Sequence, residues 1–275
     1  MNEKVILQNG VEMPRLGFGT YKLAPDQESM NRAVRNGLNA GFRSIDTAEH
    51  YGNEAMVGEA IRCSGYKREE LFLTTKIWNT DHGYHRTLEA FEESAERLKT
   101  YPDLLLIHWP CPMMNKYIET WQALQELYRQ KKIRAIGVSN FKISHLEQLR
   151  KAGGVQPMVN QIEMHPYFIQ KDMLEYCRKR KIFVSAWSPF LRGKNIAEHK
   201  EIEIIASAHG KSPAQIVLRY LMELGAGITV KTASYEHARS NLEIYDFCLE
   251  KPEMDILDGL NTGKRVYQDP DEYYL

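Results

Sequence analysis

Asp46, Tyr51, Lys76 and His108 are the residues from which a reading of function starts. A carboxylate, a phenol, an ammonium and an imidazole brought to one place can hold and move a proton. Three of the four stand where a short apolar run stops. Asp46 closes the run over 42–45, Lys76 follows Leu71-Phe72-Leu73-Thr74-Thr75, and His108 follows Leu104-Leu105-Leu106-Ile107. Tyr51 comes one turn of polar loop after Asp46, and Asn53 is placed to cap the next helix. A carboxylate buried at a strand end is costly unless it is paired. The four could meet at one mouth. The bland alternative is a set of unrelated strand ends whose polar residues face solvent.

The elements that must position these residues follow a rhythm. Runs at 5–8 and 11–13 flank Asn9-Gly10, which predicts a two-residue hairpin turn. Leu16-Gly17-Phe18-Gly19 reads as a strand, and Asp26 can cap a helix that ends at Ala40 before Gly41. Further strands are expected at 42–46, 71–76, 104–108, 133–138, 159–163, 182–187 and 228–230. Helical patterns lie between them at 53–63, 87–98, 116–130, 144–152 and 171–180. Two more helices fall between 187 and 228, the second opened by Ser212-Pro213 and stopped by Gly225, and Ser234 opens another.

Eight apolar runs alternating with helices argue for a parallel sheet with crossover helices. At 275 residues they suit a closed (β/α)8 barrel, a fold of about 250 residues, with a hairpin and extra helices added. An open doubly wound sheet is the alternative. Against it, Leu16-Gly17-Phe18-Gly19-Thr20-Tyr21 has two glycines and then fails the third position of the dinucleotide fingerprint. No linker or shift of composition divides the chain. One α/β domain is expected over 1–275, with the hairpin at 1–13 and a tail at 262–275 near the mouth. A barrel places its site at the carboxyl ends of the strands. Asp46, Lys76, His108, Ser139, Asn140, Gln161, Trp187 and Lys231 all fall there, and so many polar strand ends on one rim favour a functional mouth.

Charge and composition narrow the partners. The 36 basic and 36 acidic side chains balance, which argues against nucleic acid or an anionic membrane. Only Val5-Ile6-Leu7 precedes polar Gln8, so no signal-peptide core is expected, and no apolar run approaches spanning length. Cys63, Cys111, Cys177 and Cys248 are scattered, without a Cys-x-x-Cys pair, as thiols of a reducing compartment would be. A cytoplasmic location is the expectation.

Several separate segments then carry one resemblance. They are Gly17-Phe18-Gly19-Thr20, Asp46-Thr47-Ala48-Glu49-His50-Tyr51-Gly52-Asn53-Glu54, Thr75-Lys76-Ile77-Trp78 and Leu106-Ile107-His108-Trp109-Pro110. Ile136-Gly137-Val138-Ser139-Asn140-Phe141, Asn160-Gln161-Ile162-Glu163, Trp187-Ser188-Pro189 and the run around Lys231 complete the set. Over nearly its full length the chain resembles an aldo-keto reductase. The resemblance implies the barrel and NAD(P)H-dependent reduction of aldehydes and ketones to alcohols. It implies Tyr51 as proton donor, with Asp46, Lys76 and His108 completing a tetrad.

The residue types suit that chemistry. Hydride reaching a carbonyl carbon builds negative charge on oxygen, and a positioned acid must supply a proton as it develops. A phenol with a pKa near 10 is a weak acid at neutral pH. The Lys76 ammonium is expected to lower it, Asp46 to hold Lys76 charged, and His108 to donate to the carbonyl oxygen.

Cofactor residues carry over position by position. Ser139, Asn140 and Gln161 match the set that holds the carboxamide, and Trp187 matches the ring that stacks on the nicotinamide. Gly19 and Thr20 match positions beside the ribose. Ser188, Phe190 and Leu191 fall in the segment that wraps the pyrophosphate. There Leu191 replaces a usual glycine and Arg192 a usual small hydroxyl residue, which shifts the expected contact from backbone toward the Arg192 charge. Lys231 and Thr232 match the site of the adenosine 2′-phosphate, and Asn241 matches an adenine contact. His237 stands where the family commonly has arginine, so NADPH is expected over NADH by a reduced margin, with NADH also usable.

Tyr21, Trp78 and Trp109 match aromatic walls of the substrate mouth. The stretches after His108 and Trp187 are short, which suggests an open pocket, although the tail over 269–275 could fold across it or hang loose. His50, Glu163 and His165 lack dense ligand spacing, so no metal is expected. The partner is expected to be a small carbonyl compound, and the protein a monomer. Two other readings stand beside this one. They are a barrel lyase with a Schiff-base lysine at 76 or 231, and a non-catalytic protein that binds the same cofactor.

Overall fold

A computed structural model describes residues 3–191 and 199–273. Among them β1 (Lys4–Ile6) and β2 (Glu12–Pro14) pair antiparallel as a hairpin. The next eight strands are β3 (Leu16–Gly19), β4 (Ser44–Asp46), β5 (Phe72–Ile77), β6 (Leu104–Ile107), β7 (Ala135–Ser139), β8 (Val159–Glu163), β9 (Phe183–Trp187) and β10 (Gly227–Val230). Each lies parallel to its neighbour in sequence, and β10 returns to β3, so the sheet closes into a barrel. The strands are buried on both faces, which is why they read as continuous apolar runs such as Leu104–Ile107. At Gly137 an added Cβ would lie 2.5 Å from the Val159 carbonyl oxygen, so only glycine lets β7 and β8 close there.

The helices α1 (Gln27–Ala40), α2 (Glu54–Arg62), α3 (Tyr84–Leu98), α4 (Tyr117–Arg129), α5 (Ile143–Ala152) and α6 (Lys171–Lys179) make the first six crossovers. Between β9 and β10 come α7 (Lys200–His209) and α8 (Pro213–Glu223), and after β10 come α9 (Tyr235–Leu242) and α10 (Lys251–Gly259). Local signals explain the best-placed ends. Asp26 accepts the Ser29 N–H at 2.8 Å to cap α1, and Gly41 closes it at φ 122°. Ser212 and Gln215 exchange bonds at the head of α8, with Pro213 in the first turn.

Several expectations need correction. The hairpin turn is not a two-residue one. Leu7 N–H still bonds Val11 O at 2.9 Å and Gly10 N–H bonds Leu7 O at 2.8 Å, which leaves a three-residue loop with Gly10 at φ 85°. A left-handed glycine in third place lets such a loop follow the strand twist. Asn53 stands at the head of α2 but does not cap it. Its amide accepts from the Thr47 hydroxyl at 3.0 Å and donates to Thr20 O at 2.9 Å, tying the loops after β3 and β4 together. Lys76 lies within β5, one residue before its end, and β7 starts two residues later than expected. The helix α10 was not foreseen, because Leu257 is its one fully buried apolar side chain and leaves little periodic signal.

The hairpin fixes which end of the barrel is open. Gln8 donates to Gln156 O and Pro157 O at 3.1 and 3.0 Å, Asn9 to Arg134 O at 2.9 Å, and Arg15 to Met222 O and Ala226 O at 2.6 and 3.0 Å. Those carbonyls precede β7, β8 and β10, so the hairpin covers the amino end and leaves the carboxyl end as the mouth. Among the described residues no helix is long and apolar enough to cross a membrane.

Candidate active site

At the mouth the ends of β4 and β5 bring Asp46 and Lys76 into contact. Lys76 Nζ donates to Asp46 Oδ1 at 2.6 Å, to Thr47 O at 2.8 Å and to the Tyr51 hydroxyl at 3.4 Å. Three acceptors match the three protons of an ammonium. Asp46 Oδ2 accepts from Gln161 Nε2 at 2.8 Å, so both carboxylate oxygens are engaged. Lys76 is fully buried, and Asp46 is 5 % exposed. Tyr51 arrives on a 3-10 turn, Glu49–Tyr51, closed by Gly52 at φ 64°. Its ring lies 5.7 Å from His108, and the Trp78 ring lies 5.1 Å from His108. The four residues singled out from the sequence therefore do share one mouth.

The electrostatics correct one expectation. Burial pushes the Tyr51 phenol up from 10.0; Lys76 pulls it down, but Asp46 pushes it up again, and the net shift is upward. Burial is the largest cause and outweighs the pull of Lys76. Burial pulls Lys76 down, yet Asp46 and Tyr51 outweigh it and raise the lysine. His108 is held well below 6.5 by burial first, then by Lys76, His50 and His82. At neutral pH the set is thus a neutral phenol, an ammonium and a neutral imidazole.

The residues matched to a cofactor line one side of the rim. Ser139 and Gln161 are register partners on β7 and β8. The Ser139 hydroxyl donates to Gln161 O at 2.9 Å, and Asn140 Nδ2 donates to His108 O at 3.0 Å. Trp187, half-buried at the end of β9, donates its indole N–H to Asn140 Oδ1 at 2.9 Å. Gln161 turns its amide nitrogen to Asp46, which ties β8 to the ion pair. Thr20 is fully buried and spends its hydroxyl on Asp46 O at 3.0 Å. At Gly19 an added Cβ would touch Thr229 Cγ2 at 3.0 Å, so β3 and β10 approach closely there.

Ser188 and Leu191 both adopt left-handed backbone, φ 57° and 48°. At Leu191 a glycine would be free of that strain. Phe190 is half-buried against the core, and Arg192 lies outside the described residues. Lys231 is exposed at the end of β10, and among the described residues its Nζ reaches only Lys22 O at 3.4 Å. Thr232 and Asn241 are buried, at 9 % and 8 % exposure, and His237 is exposed on the first turn of α9. Ser234 caps that helix by taking the His237 N–H at 3.1 Å. Arg239 turns away to Glu243 at 3.1 Å.

Aromatic rings cluster around Tyr51 and Trp78 at the mouth. Tyr21 packs 4.9 Å from Tyr51, and His50 stacks on Trp78 at 3.6 Å and 17°. Trp109 lies 4.4 Å from Tyr273, which belongs to the tail. The tail runs across the mouth rather than away from it, and narrows a pocket that the short loops alone would leave open. Asp269 and Asp271 pair with Lys142 at 2.5 and 2.6 Å, and Asp271 with His145 at 2.8 Å. His145 Nδ1 accepts the Lys142 N–H at 3.1 Å, so its proton is on Nε2, facing Asp271. Nearer the barrel axis, Glu163 holds residues 265–267.

Other contributors have little signal in the sequence. Thr47 acts through its carbonyl, which every residue has. Glu49 accepts the Trp78 N–H at 3.1 Å and so bridges the loop of Tyr51 to that of Trp78. Glu54, 1 % exposed, is held by Arg97 at 2.8 Å and by the Thr75 hydroxyl at 2.5 Å. A glutamate inside an apolar helix face was the one available hint of that pair.

The model of the Aldo/keto reductase family matches residues 15–262. The glyoxal reductase of Bacillus subtilis is 45% identical over 273 residues, which cover 99% of this chain and 98% of that protein. The methylglyoxal reductase DkgA of Escherichia coli is 40% identical over 269 residues, covering 97% of this chain and 96% of that one. An aldo-keto reductase of Bombyx mori, solved in complex with NADP, superposes with a TM-score of 0.90 at 31% identity, covering 97% and 95% of the two chains.

Proposed function

The chain belongs to the aldo/keto reductase family, and from that premise we propose that Tyr51 protonates the carbonyl oxygen while Lys76, Asp46 and His108 set its state. The protein is an oxidoreductase that reduces aldehydes and ketones with NADP(H). The observation that carries the residue assignment is Lys76 Nζ standing between Asp46 at 2.6 Å and the Tyr51 hydroxyl at 3.4 Å, beside a neutral His108. The bound cofactor supplies the hydride.

Tyr51 enters each cycle protonated, because its pKa is raised. Negative charge growing on a carbonyl oxygen beside it would draw that proton across. The Lys76 ammonium then stabilises the phenolate left behind. A neutral His108 with its N–H toward the pocket would hold the oxygen without competing as an acid.

The rim fits a dinucleotide. Trp187 offers a half-exposed indole face, Ser139, Asn140 and Gln161 offer hydroxyl and amides side by side, and exposed Lys231 stands before a capped helix. In this reading Gly19, Thr20, Ser188, Phe190 and Leu191 shape the cleft along the ribose and pyrophosphate. Lys231, Thr232, His237 and Asn241 read the adenosine end and favour NADPH. Tyr21, Trp78 and Trp109 wall the carbonyl compound, and small dicarbonyls are the first substrates to try, since two relatives are named as glyoxal and methylglyoxal reductases. A Schiff-base lysine must be neutral to attack, and Lys76, raised by its partners, is not. We further propose that 1–275 acts as one domain and as a monomer, in the cytoplasm.

The test is NADPH oxidation followed by absorbance with glyoxal, methylglyoxal and a panel of aldehydes and ketones. Tyr51→Phe should bind NADPH as the parent does and turn over about 10²–10⁴-fold more slowly. Turnover of Tyr51→Phe at the parent rate would refute the assignment of the proton donor.

A further inference from the structure

We propose that residues 265–267 form a closure on the cofactor cleft, fastened by Glu163, in which Tyr267 holds the nicotinamide end against exit. The proposal rests on the cofactor reading above, since it assigns a task to residues beside Trp187 and Ser188.

Glu163 ends β8 and is fully buried. A carboxylate in that position needs partners, and the tail provides most of them. Oε1 accepts the Val266 N–H at 2.7 Å and lies 3.1 Å from His165 Nε2. Oε2 meets the Tyr267 N–H and the Arg265 guanidinium, each at 3.4 Å. Residues 265–267 belong to no helix or strand, so the carboxylate supplies the acceptors that a sheet partner would. The mechanism has no use for Glu163, and a metal reading of Glu163 with His165 fails because Oε1 and Oε2 are spent on the tail.

What this fastening places is Tyr267. Its hydroxyl is 2.7 Å from Ser188 Oγ, and its ring lies 4.9 Å from Trp187 at 62°. Ser188 is held at φ 57°, and Trp187 is fixed by its bond to Asn140 at 2.9 Å. Tyr267 therefore rests on the ring assigned to the nicotinamide and bonds to the first residue of the segment assigned to the pyrophosphate. Moving that segment outward requires breaking the Tyr267–Ser188 bond. Glu163 acts at one remove, as a positioning residue. A single neutral hydrogen bond corresponds to about a 3- to 10-fold change in a rate that must break it.

The experiment is stopped-flow release of bound NADPH, chased with excess NADP+ and followed by fluorescence, on the parent, Tyr267→Phe and Glu163→Gln. Release should quicken about 3- to 10-fold in Tyr267→Phe and at least as much in Glu163→Gln. The melting point of cofactor-free Tyr267→Phe should stay within about 3 °C of the parent, which separates the effect from general loosening. Release within about 2-fold of the parent in Tyr267→Phe would overturn the proposal, and that variant decides alone if Glu163→Gln does not fold. A parent protein that binds no NADPH would overturn the cofactor reading itself, and the closure with it.

Discussion

Lys76 and Lys231 both stand at the carboxyl ends of barrel strands, β5 and β10, yet the fold treats them in opposite ways. Lys76 is fully buried and meets three acceptors, one of them a carboxylate at 2.6 Å. Lys231 is exposed and, among the described residues, makes one long hydrogen bond, 3.4 Å to a backbone carbonyl. A buried charge keeps its field because no salt reaches it, but removing either partner leaves the other stranded. An exposed charge is weak and screened, and can be changed at little cost. In the proposed reading one end of the cleft is therefore an all-or-none chemical device. The other, in the proposed cofactor reading, is an adjustable recognition patch, and by the family resemblance it is where His237 stands in place of an arginine.

The largest effect should come from breaking the buried member. Lys76→Met strands the Asp46 carboxylate and removes the support of the Tyr51 phenolate. Turnover should fall by about 10²–10⁴-fold, and denaturant unfolding should show a loss of about 3–5 kcal/mol. A fully stable, active Lys76→Met protein would erase the distinction. Borohydride should trap no carbonyl adduct on the parent; a reduced adduct at Lys76 would favour the lyase reading instead.

The exposed member should give smaller, salt-dependent numbers. In Lys231→Ala the dissociation constant for NADPH should rise about 10-fold, measured by calorimetry at low salt. The NADH constant should barely move, and the NADPH difference should shrink as ionic strength rises. Equal losses for both cofactors would mean that Lys231 does not read the 2′-phosphate. His237→Arg should tighten NADPH by about 3-fold and leave NADH unchanged, since it adds a fixed planar charge where a histidine now stands. Tightening of both cofactors alike would assign the gain to stacking.

Glu49 is the intermediate case, half-buried between the two extremes. Burial raises its pKa from 4.5 to about 7, with Asp81 adding to the rise while the Trp78 N–H and Arg97 oppose it. The folded state thus binds this proton more tightly than the unfolded chain does. The stability tied to its neutral form is fully present below the unfolded value of 4.5 and is lost as pH rises through about 7. Glu49→Gln should accordingly melt closer to the parent at pH 5 and progressively above it toward pH 8. A difference in melting point that does not vary with pH would mean that Glu49 keeps an ordinary carboxylate pKa.

Much of this molecule was legible before folding. Apolar runs of strand length mark eight barrel strands, and β8 was placed over its whole length. The caps Asp26, Ser212 and Ser234 are local devices acting over three residues, so they announce themselves in the chain. The strand-end positions of Asp46, Lys76 and His108 follow from the same local pattern. Asn53 shows where such reasoning stops. It stands where a cap belongs, but the neighbouring loops compete for its amide and win.

What tertiary structure alone decided are the contacts between distant residues. Gln161 is 115 positions from the carboxylate it holds, and Glu163 is about 100 from the tail it fastens. The net rise of the Tyr51 pKa was decided there too, because it depends on how far burial outweighs the pull of Lys76. Periodicity and capping report which element a residue joins. Closing the sheet on itself sets which strand ends face one another, and desolvation sets how strongly they interact.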